Sequence, residues 1–489
     1  MRTITTSTHE KGPLRSACDY AGAVKETIER EIKLTAGEGF ILPELGGVVL
    51  PTRVFVSTYH DTEDFRLARH GITLRHRVEE GAGLWQLKLP HGDARRELER
   101  PGPPGVMPLE LVSLLPALLR GKQLVSVARL RTRREVVRAL GAEVVDDSVA
   151  VLDRQRVTQR FRELEVELLD GEEETLSRLE QTLRDAGADS AGFRPKLYQV
   201  LGLEYPDGPV SLERKTLPVE ALRLRLGEQL SALLSHDPGT RLGSDPEDLH
   251  QLRVATRRLR AYLRAGRPLL AEAPTRALRD ELAWLGGALG PVRDADVLIE
   301  HFRAEVARLD GEHPAAAQLL EALAARREEA RSVMAEALGS ERYFALLDTL
   351  TSYVAMPPLS GEQTPLGRIW WRQAKRLRRH VEELAEQPAD EALHEVRIDV
   401  KRARYAAELA AHELGKPGQR FLASAKHAQD VLGTHQDAVV AESVVREWGG
   451  DEPAAAALVA RERQRRDDAR AAWPEAWKRV WKAARRARP

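Results

Sequence analysis

In its N-terminal half the chain places carboxylates and cations at alternate positions of short runs. Glu29, Glu31 and Lys33 share one face of residues 28–34, and Glu163, Glu165 and Glu167 share one face of 161–168. Arg75 aligns with Arg77, Gln86 with Lys88, Arg95 with Glu97 and Glu99, and Arg129 with Arg131 and Arg133. Alternation of this kind puts each set on one side of a strand. Some runs are carboxylate-rich and others guanidinium-rich, with few of the Thr and Ser residues that solvated sheet faces favour. Opposed clusters suit a phosphate chain chelated to a divalent metal. Carboxylates hold the hard cation, and Arg and Lys neutralise the remaining phosphate oxygens. An antiparallel sheet with one face in water accounts for the alternation as well.

A second chemistry is written in the C-terminal half. His250, Arg253, Arg257 and Arg260 recur, 144 residues on, as His394, Arg397, Lys401 and Arg404. Offsets of 0, 3, 7 and 10 fall within roughly 80° of arc on a helix, so each set is a narrow cationic stripe. The match continues downstream: Leu289-Gly290 and Arg293-Asp294 in the first copy, Leu432-Gly433 and Gln436-Asp437 in the second. Two stripes of one sign, repeated in register, suggest a surface for a polyanion. Solvated helices with surface ion pairs are the plain alternative, and the better one for Arg264 or Arg379 taken singly. Aromatics are nearly absent beside the stripes, Tyr262 and Tyr405 excepted, which disfavours nucleic acid. His250 and His394 have no local cluster of metal ligands around them.

These groups need two kinds of scaffold. From residue 28 to 203 the period is two, broken by Gly and Pro, and it predicts strands over 28–34, 73–78, 84–89, 95–100, 128–136 and 161–168. Residues 205–209 read as a linker. From about Leu217 the period is helical, with breaks at 235–246, 357–365 and 387–390. A disordered leader is expected over 1–24, a strand domain over 25–208 and a helical domain over 215–486. At 489 residues two domains are the natural division.

Lys+Arg and Asp+Glu both total 75, so net charge says nothing about partners. Cys18 is the only cysteine, which excludes a disulfide framework and a multi-cysteine metal site. No apolar run spans a bilayer and the N-terminus lacks a secretory core, so the expectation is a cytoplasmic protein with no membrane partner.

The Glu29-x-Glu31-x-Lys33 run resembles the signature of the CYTH superfamily, the triphosphate tunnel metalloenzymes. Supporting segments follow in order: Tyr59-His60-Asp61-Thr62, Leu74-Arg75-His76-Arg77, Leu87-Lys88-Leu89, Arg95-x-Glu97-x-Glu99, Arg131-x-Arg133 and the Glu163–Glu167 run. The resemblance implies an eight-stranded antiparallel tunnel that hydrolyses triphosphates with Mg2+ or Mn2+. It implies metal ligation by Glu29, Glu31, Glu165 and Glu167, with Glu163 as an extra in-phase carboxylate, and a catalytic set of Glu29, Glu31 and Lys33. Lys33, Arg75, Arg77, Lys88, Arg95, Arg131, Arg133 and Lys196 would bind the triphosphate.

The helical half resembles the CHAD domain, through His250-x-x-Arg253-Val254 and Arg293-Asp294-x-Asp296. That resemblance implies an all-α domain of two four-helix repeats around a basic groove that binds inorganic polyphosphate, lined by the eight stripe residues. Asp294 and Asp437 would orient those bases. The fold class expected is therefore α+β, a β-tunnel followed by helices. The expected activity is metal-dependent hydrolysis of inorganic tripolyphosphate alongside binding of long-chain polyphosphate, with location at polyphosphate granules as its cellular counterpart. Two alternatives stay open. One is a polyphosphate-binding protein with a silent tunnel, and the other acts on an organic triphosphate, as thiamine triphosphatase, RNA triphosphatase or adenylyl cyclase do. Trp85, out of phase with Lys88, is expected in the core and not as a base platform.

Overall fold

The structure, a computed structural model, describes residues 24–37, 39–190, 195–205, 212–309, 314–449 and 453–489. The expected leader and most of the expected linker lie outside the described residues. The chain divides into two compact units between residues 207 and 208.

The first unit is built on ten strands: β1 (Lys25–Glu29), β2 (Glu31–Thr35), β3 (Val48–Asp61), β4 (Thr73–Glu79), β5 (Ala82–His91), β6 (Ala94–Pro101), β7 (Val125–Ala139), β8 (Ala142–Asp153), β9 (Arg156–Leu168) and β10 (Asp189–Ser190). They pair antiparallel in the order β1-β6-β5-β4-β3-β7-β8-β9-β2-β10. The expected single strand over 28–34 is two strands that meet at Arg30. β1 pairs with β6 and β2 with β9, at opposite ends of the order. The chain itself thus joins the two ends, and Arg30 accepts a hydrogen bond from Leu168 there. Counting β1 and β2 as one strand and leaving aside the short β10, the barrel has the eight strands expected. Tight turns fix the register. Leu140 (φ 55°) and Gly141 (φ 76°) link Ala139 to its partner Ala142, the left-handed pair that suits the twist of a two-residue hairpin.

Outward faces are apolar where helix α3 (Glu173–Asp185) covers them; α1 (Leu109–Val112) and α2 (Pro116–Leu119) precede it. Leu34, Val144, Leu164 and Val166 pack there against Leu176, Leu179 and Leu183. Each such fully buried leucine contributes ~1.5–3 kcal/mol. Helix α4 (Lys196–Leu201) brings Leu197 and Tyr198 against Tyr59, Leu130 and Val149.

The second unit is helical: α5 (Pro218–Leu242), α6 (Pro246–Ala265), α7 (Glu272–Val306), α8 (Pro314–Gly339), α9 (Glu341–Ala355), α10 (Leu366–Glu382), α11 (Asp390–Leu409), α12 (Ala411–Gly449) and α13 (Pro453–Arg486). α5–α8 and α10–α13 are the two four-helix repeats, with α9 between them. The expected break at 235–246 is shorter than predicted. α5 runs through Pro238 to Leu242, because Asp237 is buried and bound to Arg241 and the Tyr343 hydroxyl. α6 starts on an N-cap, Asp245 accepting from the Glu247 amide, with Pro246 in the first turn. Its Leu252, Leu259 and Leu263 are buried, as are Val396, Val400 and Ala407 of α11. Those faces lie opposite the stripes, and α6 packs against α11.

Candidate functional site

The barrel interior gathers charge from nearly every strand. Register sets Lys33 opposite Glu165, Glu31 opposite Glu167, and Asp147 opposite both Glu163 and Arg134. Across the barrel, Lys88 lies opposite Glu97 and Arg75 opposite Gln86. The side chains then meet. Lys33 Nζ lies 3.2 Å from Glu31 and 3.0 Å from Glu163, and also bonds Glu165. Lys196, from α4, reaches Asp147 at 2.9 Å, Glu163 at 3.1 Å and Glu165 at 2.8 Å. Lys88 bonds Glu29 and lies 3.6 Å from Glu97. Arg75 donates to Gln86 at 2.8 Å and to the Tyr59 hydroxyl at 3.3 Å.

These contacts set the protonation of the interior. Burial opposes charge on Lys33, but Glu163, Glu165 and Glu31 outweigh it and hold the lysine well above its usual range. Burial likewise opposes ionisation of Glu165, and Lys196, Lys33 and Arg134 overcome it, so its pKa lies well below the carboxylate range. At Glu163 and Glu29 burial prevails and the pKa is raised, with Lys196 and Lys33, and Lys88, opposing it respectively. Arg77 is pushed down to about 10 by burial and by Arg134, its guanidinium 3.7 Å over the Phe55 ring.

Most of the residues singled out in the strand half do converge: Glu29, Glu31, Lys33, Arg75, Arg77, Lys88, Glu163, Glu165 and Lys196 are on the inner face. Arg131 and Arg133 are not. They are exposed on the outside of β7, Arg133 pairing with Glu135 at 2.6 Å. The inward phase of β7 is Leu130, Thr132, Arg134 and Val136. Arg134 is the inner guanidinium, bonded to Asp147 at 2.6 Å and Glu165 at 3.0 Å. Arg95 is almost fully buried and donates to the Gly71 carbonyl at 2.7 Å, an anchoring contact. Arg134, Asp147, Tyr59 and Gln199 were missed. Cations occur on both faces of residues 131–134, so alternation by itself gives no phase, and Asp147 follows another acid, Asp146.

The interior's donor chemistry fits a hard divalent cation. Glu29, Glu31 and Glu97 crowd round Lys88, and buried Glu97 Oε1 has no hydrogen-bond partner. Glu163 and Glu165 fit ligation less well. Glu163 accepts from Lys33, Lys196 and, at 2.9 Å, Gln199, and Glu165 from Lys33, Lys196 and Arg134, so both position the surrounding cations. Trp85 is fully buried against His60 and His76, out of the interior.

In the helical unit the two stripes face one another across the α6–α11 contact. Arg257 feels Arg253, Arg397 and Arg404, which together with burial lower its pKa. Lys401 is pushed down to about 8 by burial, then by Arg397 and Arg257. Burial, Arg293, Arg257 and Arg253 lower His250. Among the described residues, no carboxylate lies within ion-pair distance of Arg257, Arg260, Arg397 or Lys401, whereas Arg404 has Glu408 at 3.5 Å. Asp294 does bond a stripe residue, accepting from Arg253 at 3.1 Å. Gln436, standing where the first repeat has Arg293, accepts from His394 Nδ1 at 2.7 Å.

The sequence matches the CYTH domain over residues 26–195 and the CHAD domain over 224–446. It is similar to an uncharacterized protein of Mycobacterium tuberculosis (strain ATCC 25618 / H37Rv), 32% identical over 460 residues, covering 84% of this chain and 87% of that protein. Similar solved structures include PptA from Streptomyces chartreusis (25% identity, TM-score 0.46, 54% of this chain and 99% of that one). Another is the CHAD domain from the plant Ricinus communis (27% identity, TM-score 0.46, 60% and 97%).

Proposed function

The chain belongs to the family in which a CYTH domain is followed by a CHAD domain, and from that membership we propose that its barrel hydrolyses inorganic tripolyphosphate while its helical unit binds long-chain polyphosphate. One observation carries the reading. A single barrel interior holds a carboxylate cluster beside Lys33, Lys88, Arg75, Arg134 and Lys196. CYTH proteins are triphosphate tunnel metalloenzymes. Glu29, Glu31 and Glu97, with Glu167 opposite, would hold Mg2+ or Mn2+, while Glu165, which already accepts from Lys33, Lys196 and Arg134, would position those cations. The bound cation supplies charge neutralisation at the phosphate oxygens.

The chain's own groups do the rest. Lys33 and Lys196 stay charged at any working pH and present ammonium donors to phosphate oxygens. Arg75, braced by Gln86 and Tyr59, offers a guanidinium in fixed orientation. Phosphoryl transfer depends mainly on such positioning and charge neutralisation. The lining favours an inorganic substrate. Among the described residues Phe55 already has Arg77 and Arg134 over its ring and Tyr59 has Arg75 over its own, which leaves these two rings less able to stack a base or a thiazole.

A second reading, anion binding without turnover, draws on Lys33, Lys196 and Arg134 all engaging Glu165. Phosphate release from tripolyphosphate, with and without Mg2+ or Mn2+ and beside ATP and thiamine triphosphate, separates the readings. Metal-dependent release favouring tripolyphosphate supports the triphosphatase, and release from ATP or thiamine triphosphate at equal rates contradicts it. No release, with tight binding of polyphosphate, leaves the silent tunnel. No helix among the described residues is long and apolar enough to cross a membrane, and association with polyphosphate granules in the cytoplasm is the location this reading proposes.

A further inference from the structure

The cationic groove does not end where the stripes end. A cavity of about 220 Å³ runs along α6 and α11, lined by Arg257, Arg260, Arg264, Lys401, Arg402 and Tyr405. A second, of about 710 Å³, lies between α10 and α11 and includes Arg376, Arg379, His380 and Asp399. The two share Ile398 and Arg402 in their linings, so the second cavity adjoins the one beside the stripes. Arg264 sits at the junction. It continues the α6 stripe by one more turn and lies close enough to Arg402, Arg279, Arg260 and Arg376 for them to oppose its charge. Asp399 holds the far bank in place, accepting from Arg402 at 2.6 Å and His380 at 2.9 Å, with Arg376 at 3.9 Å. Arg379 has no carboxylate within ion-pair distance among the described residues. Glu383 and Glu395 also line this cavity, both exposed.

The internal repeat shows that this continuation is one-sided. Shifted back by the 144-residue offset, Arg376, Arg379 and Asp399 become Ala232, Ser235 and Ala255. Shifted forward, Arg264 becomes Glu408, which is held by Arg258 at 3.3 Å, the Tyr262 hydroxyl at 3.2 Å and Arg404 at 3.5 Å. The second repeat therefore has a carboxylate where the first has an open arginine. A groove made from two copies of one motif would be symmetric, and this one is not.

We propose that the groove is directional: a linear polyphosphate leaves the stripes over Arg264 and Arg402, runs onto Arg376 and Arg379, and has no equivalent exit at the Glu408 end. This rests on the polyphosphate reading above and adds chain-length selectivity to it. Chains too short to reach α10 use only the stripes, and longer ones gain the extra contacts.

The test is titration of the full chain, in EDTA, with size-fractionated linear polyphosphates of increasing length. For the parent, affinity should rise with length and then level. In Arg376→Gln/Arg379→Gln the short chains should bind as before, while the longest lose about tenfold and show a shallower salt dependence, since two cations no longer displace counterions. The double variant matching the parent at every length, or losing affinity equally at every length, would overturn the proposal. A parent that binds no polyphosphate at any length would instead overturn the reading on which it rests. Both positions are solvent-facing, and circular dichroism checks that the variant keeps its helices.

Discussion

Barrel and groove both collect cations, but they treat those cations in opposite ways. In the barrel the central cations are matched with buried carboxylates: Lys33 with three, Lys196 with three, Arg134 with two. The partners hold Lys33 above its ordinary pKa. In the groove the cations face one another with few acids between them, and Arg257, Arg260, Arg264 and Lys401 are all lowered. A pre-paired interior suits a ligand that arrives with its own metal, because both signs of charge are already present. An unpaired groove suits a bare polyanion, which relieves repulsion the fold has imposed. Geometry therefore points to selectivity in the barrel and to capacity in the groove.

The largest expected effect tests the barrel's carboxylates. Glu29→Ala with Glu31→Ala should cut tripolyphosphate hydrolysis by about a hundredfold or more, through lost metal ligation. An undiminished rate of phosphate release would remove the barrel from the chemistry. Next is Arg134→Ala, which takes one cation from Asp147 and Glu165 and leaves Lys196 on both and Lys33 on Glu165. Losing these charge-assisted bonds should cost about 1.5–3 kcal/mol, read as a fall in the denaturation midpoint; an unchanged midpoint would show the pairing to be slack. In the groove, Arg257→Ala with Lys401→Ala should weaken long-chain polyphosphate binding about tenfold while leaving hydrolysis alone. A fall in hydrolysis of tripolyphosphate would contradict the division of labour.

A gentler test uses pH. Lys401 has a pKa near 8 in the free protein against an ordinary 10.5. A bound polyanion favours its charged form and raises that value again. Binding should thus take up a proton above about pH 8 and weaken as pH climbs toward the bound-state value, with no such slope below about pH 8 from this group. Isothermal titration in buffers of different ionisation heat reads the uptake, and its absence in Lys401→Gln assigns it. The smallest effect belongs to Arg131→Ala with Arg133→Ala. Both side chains point outward, so stability should move by no more than about 0.5 kcal/mol and hydrolysis should stay at the parental rate. A large loss of activity would mean that β7 has the opposite phase.

Much of this was legible in the residues. Alternation located the strands because side chains of a pleated strand must alternate, and Glu29, Glu31, Lys33 and the Glu163–Glu167 run proclaimed their faces without ambiguity. The stripe at 250–260 repeated at 394–404 because helices repeat every 3.6 residues and the helical unit itself repeats. Three features were not legible. Residues 28–34 are uninterrupted in pattern yet split at Arg30, since closure of the barrel, a non-local event, decides which neighbour each half pairs with. β7 carries arginines on both faces, so only its pairing with β3 and β8 picks Arg134 over Arg133. Arg264 and Arg379 looked like solvated surface one at a time, and they become part of a cavity lining only once α10 and α11 flank the same path.

The sequence by itself determined the local facts: which segments extend, which coil, which faces carry charge, and that the helical half is built twice. Those follow from interactions within a few residues, where spacing and side-chain type suffice. Only the tertiary structure decided the pairings: which carboxylate answers which lysine, that Asp147 joins the interior, and that the groove opens past Arg264 and not past Glu408. Such outcomes depend on residues far apart in the chain, such as Lys33 with Glu163 or Arg264 with Arg376, meeting at distances set by strand register and helix packing.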